Sequence, residues 1–350
     1  GTNVDISGLT VAGSGSSYTI DFSTVTGTAG AYVLTLNASG SGIQDAAGNA
    51  LAANASDSWT VDTTAPTADI VDVTPDPRTT NAGTVTISFT KDVTGVTIGD
   101  FSLTRDGTNV DISGLTVAGS GDTYTIDLSS VTASDGTYVL TLTASGSGIQ
   151  DAAGNALAAD ATETWTMDAT APSTTSFVRH TPASSPTNAD TLVFRATFSE
   201  AVTGVDAADF AVSGTTATVT DVTAVSATQY DVTVSGGDLA SLNGTVGLDL
   251  AASPTITDLA GNALPNTEPV TDETYVIDNT RPATSDGQVT TGEDTDYTFA
   301  ADDFNFMGIN PGDTLSAVKI TSLPSAGTLQ WNDGTVWQDV ILDQEISKAS

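Results

Sequence analysis

Two sets of aspartates recur at matching places along this chain. Asp62, Asp168 and Asp278 stand in the phrases VDTTAP, MDATAP and IDNTRP, while Asp45, Asp151 and Asp258 open turns of the form D-x-x-G-N. Carboxylates are hard oxygen donors, and calcium gathers about six to eight such oxygens from carboxylates, backbone carbonyls and waters. Each aspartate also has a purely structural reading. Asp caps turn N–H groups while Gly or Asn accepts positive φ, and Asp before a proline-stiffened linker simply ends a strand. The joint recurrence of both sets favours a repeated cation site over isolated turns. Other chemistry is poorly served. The one histidine, His180, lies in RHTPASSPTNA, whose prolines and serines predict a solvated loop. No serine nucleophile elbow, P-loop or zinc-ligand spacing is present. Paired carboxylates of the glycosidase kind are too abundant here to mean anything, so the chain reads as non-enzymatic.

The aspartates recur because the chain does. GTNVDISGLTVAGSG at 1–15 returns letter for letter at 107–121, an offset of 106 residues, and the match runs on to the TAP of both linkers with roughly three-quarters identity. A third, diverged copy follows: TNADTLVFRATFSEAVTGVDAADFAV matches TNAGTVTISFTKDVTGVTIGDFSL, and VGLDLAASPTITDLAGNAL matches VLTLTASGSGIQDAAGNAL. A period near 100 exceeds that of solenoid repeats and suits a small sandwich copied in tandem. The expected domains are the C-terminal part of one repeat (1–63), a complete repeat (64–169), a complete diverged repeat (170–279) and the start of a different β-unit (280–350). Beginning and ending within units, the sequence reads as an excerpt of a longer chain.

Thr, Val, Ser, Gly and Asp dominate, which suits pleated half-buried strands joined by turns. In the complete repeat, β-rich runs fall at 68–73, 84–90, 97–104, 110–117, 123–128, 138–143 and 164–167. Seven short strands at this spacing predict an immunoglobulin-like sandwich. The fold class is therefore all-β, with tandem immunoglobulin-like β-sandwich domains in an extended array. Trp59, Trp165 and Tyr275 hold equivalent places before the closing aspartates and are expected to pack the last strand into the core.

Charge narrows the partners. Forty-three acidic residues face 8 basic ones, for a net charge of −35. That opposes nucleic acid, which needs a basic footprint, and opposes anionic lipid. A salt-rich habitat, solubility or cation binding each account for the total. There is no cysteine, which removes thiolate sites without placing the protein in a reducing compartment. No apolar run reaches membrane-spanning length.

An immunoglobulin-like sandwich puts its second-to-third and sixth-to-seventh strand loops at the end facing the preceding domain. Asp168, closing one repeat, is thereby brought toward Glu200 in FSEAVTG and Asp258 in DLAGN of the next. This predicts a calcium site of Asp168, Glu200 and Asp258, with Asp209 as a weaker addition. The preceding junction pairs Asp62 with Asp151, but Lys91 stands where Glu200 would be. Lysine cannot ligate calcium, so a weaker site using Asp92 and Asp100 is expected there. Asp45 lacks its linker partner, so its site is expected to be incomplete. Asp278 has Glu293, Asp294 and Asp303 as alternative partners.

The VDTTAP linker, FSEAVTG followed by DF, and the DxxGN turn resemble the bacterial immunoglobulin-like repeats of large secreted adhesins. EDTDYTF and LSAVKITSLPSAGTL look like the start of a cadherin-like repeat from the same kind of protein. The resemblance implies export to the bacterial cell surface, calcium at domain junctions, and a stalk presenting a distal binding domain. The expected partners are Ca2+ and neighbouring domains of the same chain. Other subunits or surface glycans would act through regions outside this segment, and direct membrane insertion is not expected. The expected function is a calcium-rigidified spacer. Alternatives are a subunit of an extracellular matrix, S-layer or fibre, or a glycan- or protein-binding module using Trp331 and Trp337.

Overall fold

The computed structural model describes residues 1–308 and 313–347. They are strands and turns, with short 3-10 segments at Ile98–Asp100, Ala207–Asp209 and Ala301–Phe304. No helix among them is long and apolar enough to cross a membrane. Two compact units emerge. One comprises Gly1–Thr174, Phe198–Val205 and Pro254–Thr267; the other comprises Thr175–Thr197, Asp206–Ser253 and Glu268–Ser350.

The first unit opens with the hairpin β1 (Val11–Ser14) and β2 (Ser17–Ile20), then the antiparallel pair β3 (Gly30–Leu36) and β4 (Ala55–Val61). The complete repeat follows as β5 (Ala68–Ile70), β6 (Thr84–Thr94), β7 (Phe101–Arg105), β8 (Thr108–Val110), β9 (Val117–Asp127), β10 (Gly136–Leu142), β11 (Gln150–Asp151) and β12 (Ala161–Met167). One sheet has the order β12-β10-β7-β8. The other is β11-β6-β5, with β9 also on β6. Period-two alternation builds the core between them: Val85, Ile87, Phe89 and Val93 of β6 point inward, as do Leu103, Ile126, Leu140 and Trp165. Each such side chain contributes about 1.5–3 kcal/mol on burial. Trp165 is fully buried and stacks on Tyr138 at 5.5 Å and 8°, and Trp59 repeats the stack on Tyr32 at 5.7 Å and 12°. Both tyrosines donate O–H to the carbonyl four residues upstream, Tyr138 to Ser134 at 2.8 Å and Tyr32 to Thr28 at 2.7 Å. That is the tyrosine corner of immunoglobulin-type sandwiches.

Two expected strands are shorter than their sequence patterns. Within 97–104, Thr97 and Asp100 form a capping box that winds Ile98–Asp100 into a 3-10 turn before β7 begins. Within 110–117, Asp111 Oδ1 accepts the Ser113 N–H at 2.9 Å, and Leu115 N–H bonds the Ile112 carbonyl at 3.0 Å. Local side-chain bonds outcompete the ladder in both places.

The third repeat supplies β13 (Thr174–Thr181), β14 (Thr191–Phe198), β15 (Val202–Thr203), β16 (Phe210–Ser213), β17 (Thr218–Ser226), β18 (Gln229–Ser235), β19 (Asn243–Leu250), β20 (Thr257–Asp258), β21 (Thr271–Asp272) and β22 (Tyr275–Asp278). In the second unit the sheets run β17-β18-β14-β13-β21 and β16-β19-β22. Phe177, Phe194, Val232, Leu248 and Tyr275 are fully buried there. Tyr275 takes the tryptophan's place, meeting Phe194 edge-on at 5.0 Å and donating O–H to the Val193 carbonyl. The short β15–β20 ladder, Val202 opposite Asp258, belongs to the first unit. The last stretch carries the pairs β23 (Ala283–Thr284) with β24 (Phe306–Met307), β25 (Ala317–Lys319) with β28 (Glu345–Ser347), and β26 (Gln330–Asn332) with β27 (Trp337–Asp339). Residues 309–312 and 348–350 of the expected cadherin-like unit lie outside the described residues.

The stacked pair at the centre of the complete sandwich is expected to dominate its stability. Trp165→Ala should lower unfolding free energy by about 3–5 kcal/mol, read as a urea transition in circular dichroism. A change below about 1 kcal/mol would show that the stack does not hold the core.

Candidate metal centre

Strand phase decides which side chains reach the ends of the sandwiches. Inward positions of β6 fall on Val85, Ile87 and Phe89, and the next in that phase is Lys91; Asp92 takes the outward phase and is exposed. Leu192, Phe194, Ala196 and Phe198 set the same phase on β14, which continues to Glu200 and then buried Val202. Lys91 and Glu200 therefore occupy equivalent inward places just beyond the core. Close approach of neighbouring loops helps hold the end of β6. Gly95 has φ +89°, and a Cβ there would lie 2.7 Å from the Gly148 carbonyl oxygen, so only glycine fits.

The D-x-x-G-N turns supply the opposing wall. Asp258 Oδ1 accepts N–H bonds from Gly261 at 2.7 Å and Asn262 at 2.9 Å, while Oδ2 accepts Asn262 Nδ2 at 2.8 Å. Asp151 is held alike by Ala153 and Asn155. Both aspartates are buried, as their satisfied bonding permits. The asparagine also reaches across to the incoming linker. Asn262 Nδ2 donates to the Asp168 carbonyl at 2.8 Å, and Asn155 Nδ2 to the Asp62 carbonyl at 3.0 Å. The turn reading thus holds at both places, with Oδ1 on backbone N–H groups and Oδ2 on the asparagine side-chain amide.

Among the described residues one acidic group converges: oxygens of Asp168, Glu200 and Asp258 all lie within 4.8 Å of one another. Burial pushes the Glu200 carboxyl above its ordinary 4.5, and the charges of Asp168, Asp258 and Asp135 push it further. Asp135 was not expected from the sequence. It accepts the Ala169 N–H at 2.8 Å and the Thr170 hydroxyl at 2.5 Å, so it braces the linker beside the cluster. Its position in the first repeat is Ala29, and that lack of recurrence hid it.

The other expected ligands fall differently. Asp62 and Asp151 are brought together, with Lys91 between them at 2.6 Å and 3.0 Å. Asp92 and Asp100 do not take Lys91's place. Asp92 faces outward, and Asp100 Oδ2 accepts the Thr97 N–H at 2.7 Å. Asp209 caps its own 3-10 turn, accepting the Asp206 N–H at 2.8 Å, and is not part of the converging group. Asp45 keeps the turn, bonded to Ala47 and Asn49, and is exposed. Asp278 accepts the Thr280 N–H at 2.9 Å. Of its expected partners, Asp303 accepts the Tyr297 hydroxyl at 2.9 Å, and no converging group forms there among the described residues.

The two ends should respond oppositely to pH. The Lys91 ammonium hydrogen-bonded to Asp62 holds that carboxyl below its ordinary 3.8, and the Asn155 side chain, with Lys91, does the same for Asp151. Their stabilisation is present above pH 3.8 and is lost as pH falls through the depressed values. Lys91 itself is raised above 10.5, chiefly by its hydrogen bond to Asp62, so its contribution is present below 10.5 and is lost as pH climbs through the raised value. Glu200 carries the reverse sign: the folded state holds its proton longer, so stability declines as pH rises from 4.5 through the raised value. In chelator, thermal melts from about pH 4 to about pH 8 should show that decline, and Glu200→Gln should remove it. An unaltered profile in the variant would detach the decline from this cluster.

The family comparison agrees with the fold. Residues 62–167 match the bacterial Ig-like domain family. No curated protein matches the chain. Among solved structures, the N-terminal part of the bacterial S-layer protein SbsC aligns at 13% identity and a TM-score of 0.22, covering 61% of this chain and 44% of that one. Titin Ig tandem domains align at 11% identity and a TM-score of 0.21, covering 61% of this chain and 95% of that one. The chain thus spans less than half the length of the S-layer structure. Two sheets with a tyrosine corner and a buried tryptophan fill the stretch that the family match delimits, and residues 62–167 belong to the bacterial Ig-like domain family.

Proposed function

We propose that this segment is a non-catalytic spacer of a large bacterial extracellular protein of adhesin type, stiffened at a repeat linkage by calcium. The observation that carries this reading is the convergence of Asp168, Glu200 and Asp258 oxygens within 4.8 Å. Their donor set is oxygen alone, which suits a hard divalent cation rather than zinc or copper. Asp168 comes from the end of one repeat and Glu200 with Asp258 from two loops of the next, so a shared ion would tie linker to loops. The Thr170 carbonyl, which lies against Asn262 Nδ2 at 3.4 Å, is a further oxygen on the same linker. The ion would supply charge neutralisation and no bond-making step.

Extracellular calcium modules bind at roughly 10⁻⁴–10⁻³ M. Calcium at about 100 times the dissociation constant stabilises the bound form by about 2.7 kcal/mol. That is ample to hold a linkage in one arrangement. Calorimetric titration of the full chain with calcium chloride should give a site in that affinity range, abolished by Glu200→Gln. Small-angle scattering should show a larger and better-defined maximum dimension in calcium than in chelator. Equal calcium heats in wild type and variant, with superimposable scattering, would return the cluster to turn-making and solubility.

A further inference from the structure

Lys91 makes the contacts a bound cation would make. Its Nζ donates to Asp62 Oδ2 at 2.6 Å, to Asp151 Oδ2 at 3.0 Å, and to the Thr64 carbonyl. An ammonium has three donors and no acceptor, so these partners satisfy it completely. Aligned copies pair these acceptors with Asp168, Asp258 and the Thr170 carbonyl, and pair Lys91 with Glu200. Several framework bonds are shared. Thr67 N–H to Thr90 Oγ1 at 3.0 Å matches Ser173 N–H to Ser199 Oγ at 2.9 Å. Asn155 N–H to Asp151 Oδ1 at 2.9 Å matches Asn262 N–H to Asp258 Oδ1 at 2.9 Å. Asn155 and Asn262 bridge to the linker carbonyl in the same way.

We propose that Lys91 is a resident cation. Its ammonium takes the part of the divalent ion, the linkage at Asp62 closes without metal, and the residue at this one inward position decides whether a linkage needs calcium. Charge supports the equivalence. Two carboxylates with an ammonium leave one negative charge, and three carboxylates with a divalent cation leave the same. The metal-free linkage is therefore constitutive across neutral pH, whereas the linkage at Asp168 is gated by calcium. Calcium withdrawal loosens one linkage of this chain and spares the other. The second half of this statement rests on the calcium reading of Asp168, Glu200 and Asp258; the first half does not.

The test is calcium uptake by the full chain, measured by equilibrium dialysis for wild type, Lys91→Glu and Glu200→Lys, with circular dichroism as the folding control. Lys91→Glu should bind one more calcium per chain than wild type, and Glu200→Lys one fewer. A loss in Glu200→Lys without a gain in Lys91→Glu leaves the calcium reading standing and overturns the resident cation. A gain in Lys91→Glu without a loss in Glu200→Lys supports the resident cation and overturns the calcium reading at Asp168. No change in either overturns both. If Lys91→Glu does not fold, the melting temperature of Glu200→Lys in chelator decides. A value above wild type supports lysine as a substitute for metal, and a value at or below it overturns the proposal.

Discussion

Carboxylates that converge at the edge of an apolar core have to be neutralised. At an effective dielectric near 20, two like unit charges about 4 Å apart repel by about 4 kcal/mol, a large share of a domain's net stability. Both repeat ends place aspartates in this situation, since Asp151 and Asp258 are buried and each receives a second aspartate from the preceding linker. At the first, an ammonium answers the charge. At the second, Glu200 adds to it and its own carboxyl is driven toward the protonated form. The rest of the architecture can be understood as what keeps these groups in place.

That framework is economical because each aspartate serves two purposes. One oxygen of Asp151 or Asp258 closes the D-x-x-G-N turn through backbone N–H groups, and the following asparagine bridges to the linker. The turn therefore carries its carboxylate at a defined height above the sandwich whether or not a cation is present. The same turn recurs in the first repeat, where Asp45 accepts the Ala47 and Asn49 N–H groups. The opposing side chain is delivered by strand phase alone. Between the two repeats the inward residue differs, lysine in one and glutamate in the other, while the D-x-x-G-N turn and the asparagine bridge to the linker are kept.

Beneath the sites, the sandwich relies on a few large side chains. Trp165 on Tyr138, with the tyrosine corner anchoring the second ring, recurs in the first repeat as Trp59 on Tyr32. The diverged repeat keeps the position with Tyr275 and exchanges stacking for an edge-on contact with Phe194. Burial raises the Tyr275 hydroxyl to about 12, so it remains a neutral donor to the Val193 carbonyl. Divergence changed the contact but kept the task of filling the core at the last strand. Acidic residues also populate the surface, in a chain whose net charge is −35.

Composition, repeat period and turn residues were enough to establish an all-β tandem array and to name Asp168, Glu200 and Asp258 as neighbours, because period-two burial and turn chemistry are local properties written in the order of residues. The same phase, counted from Val85 through Phe89, would have placed Lys91 inward and Asp92 outward. Residue type alone points instead to Asp92 as the acid in place of the missing glutamate. Asp209, Asp100 and the segment at 111–115 show the complementary limit: their short-range hydrogen bonds draw them into caps and turns that alternation alone reads as strand or ligand. Tertiary structure alone decided that Lys91 bridges two carboxylates and the Thr64 carbonyl, and that Asp135 stands by the second cluster. Those contacts join residues brought together only when linker and loops meet, and electrostatic energy depends on that distance rather than on separation along the chain.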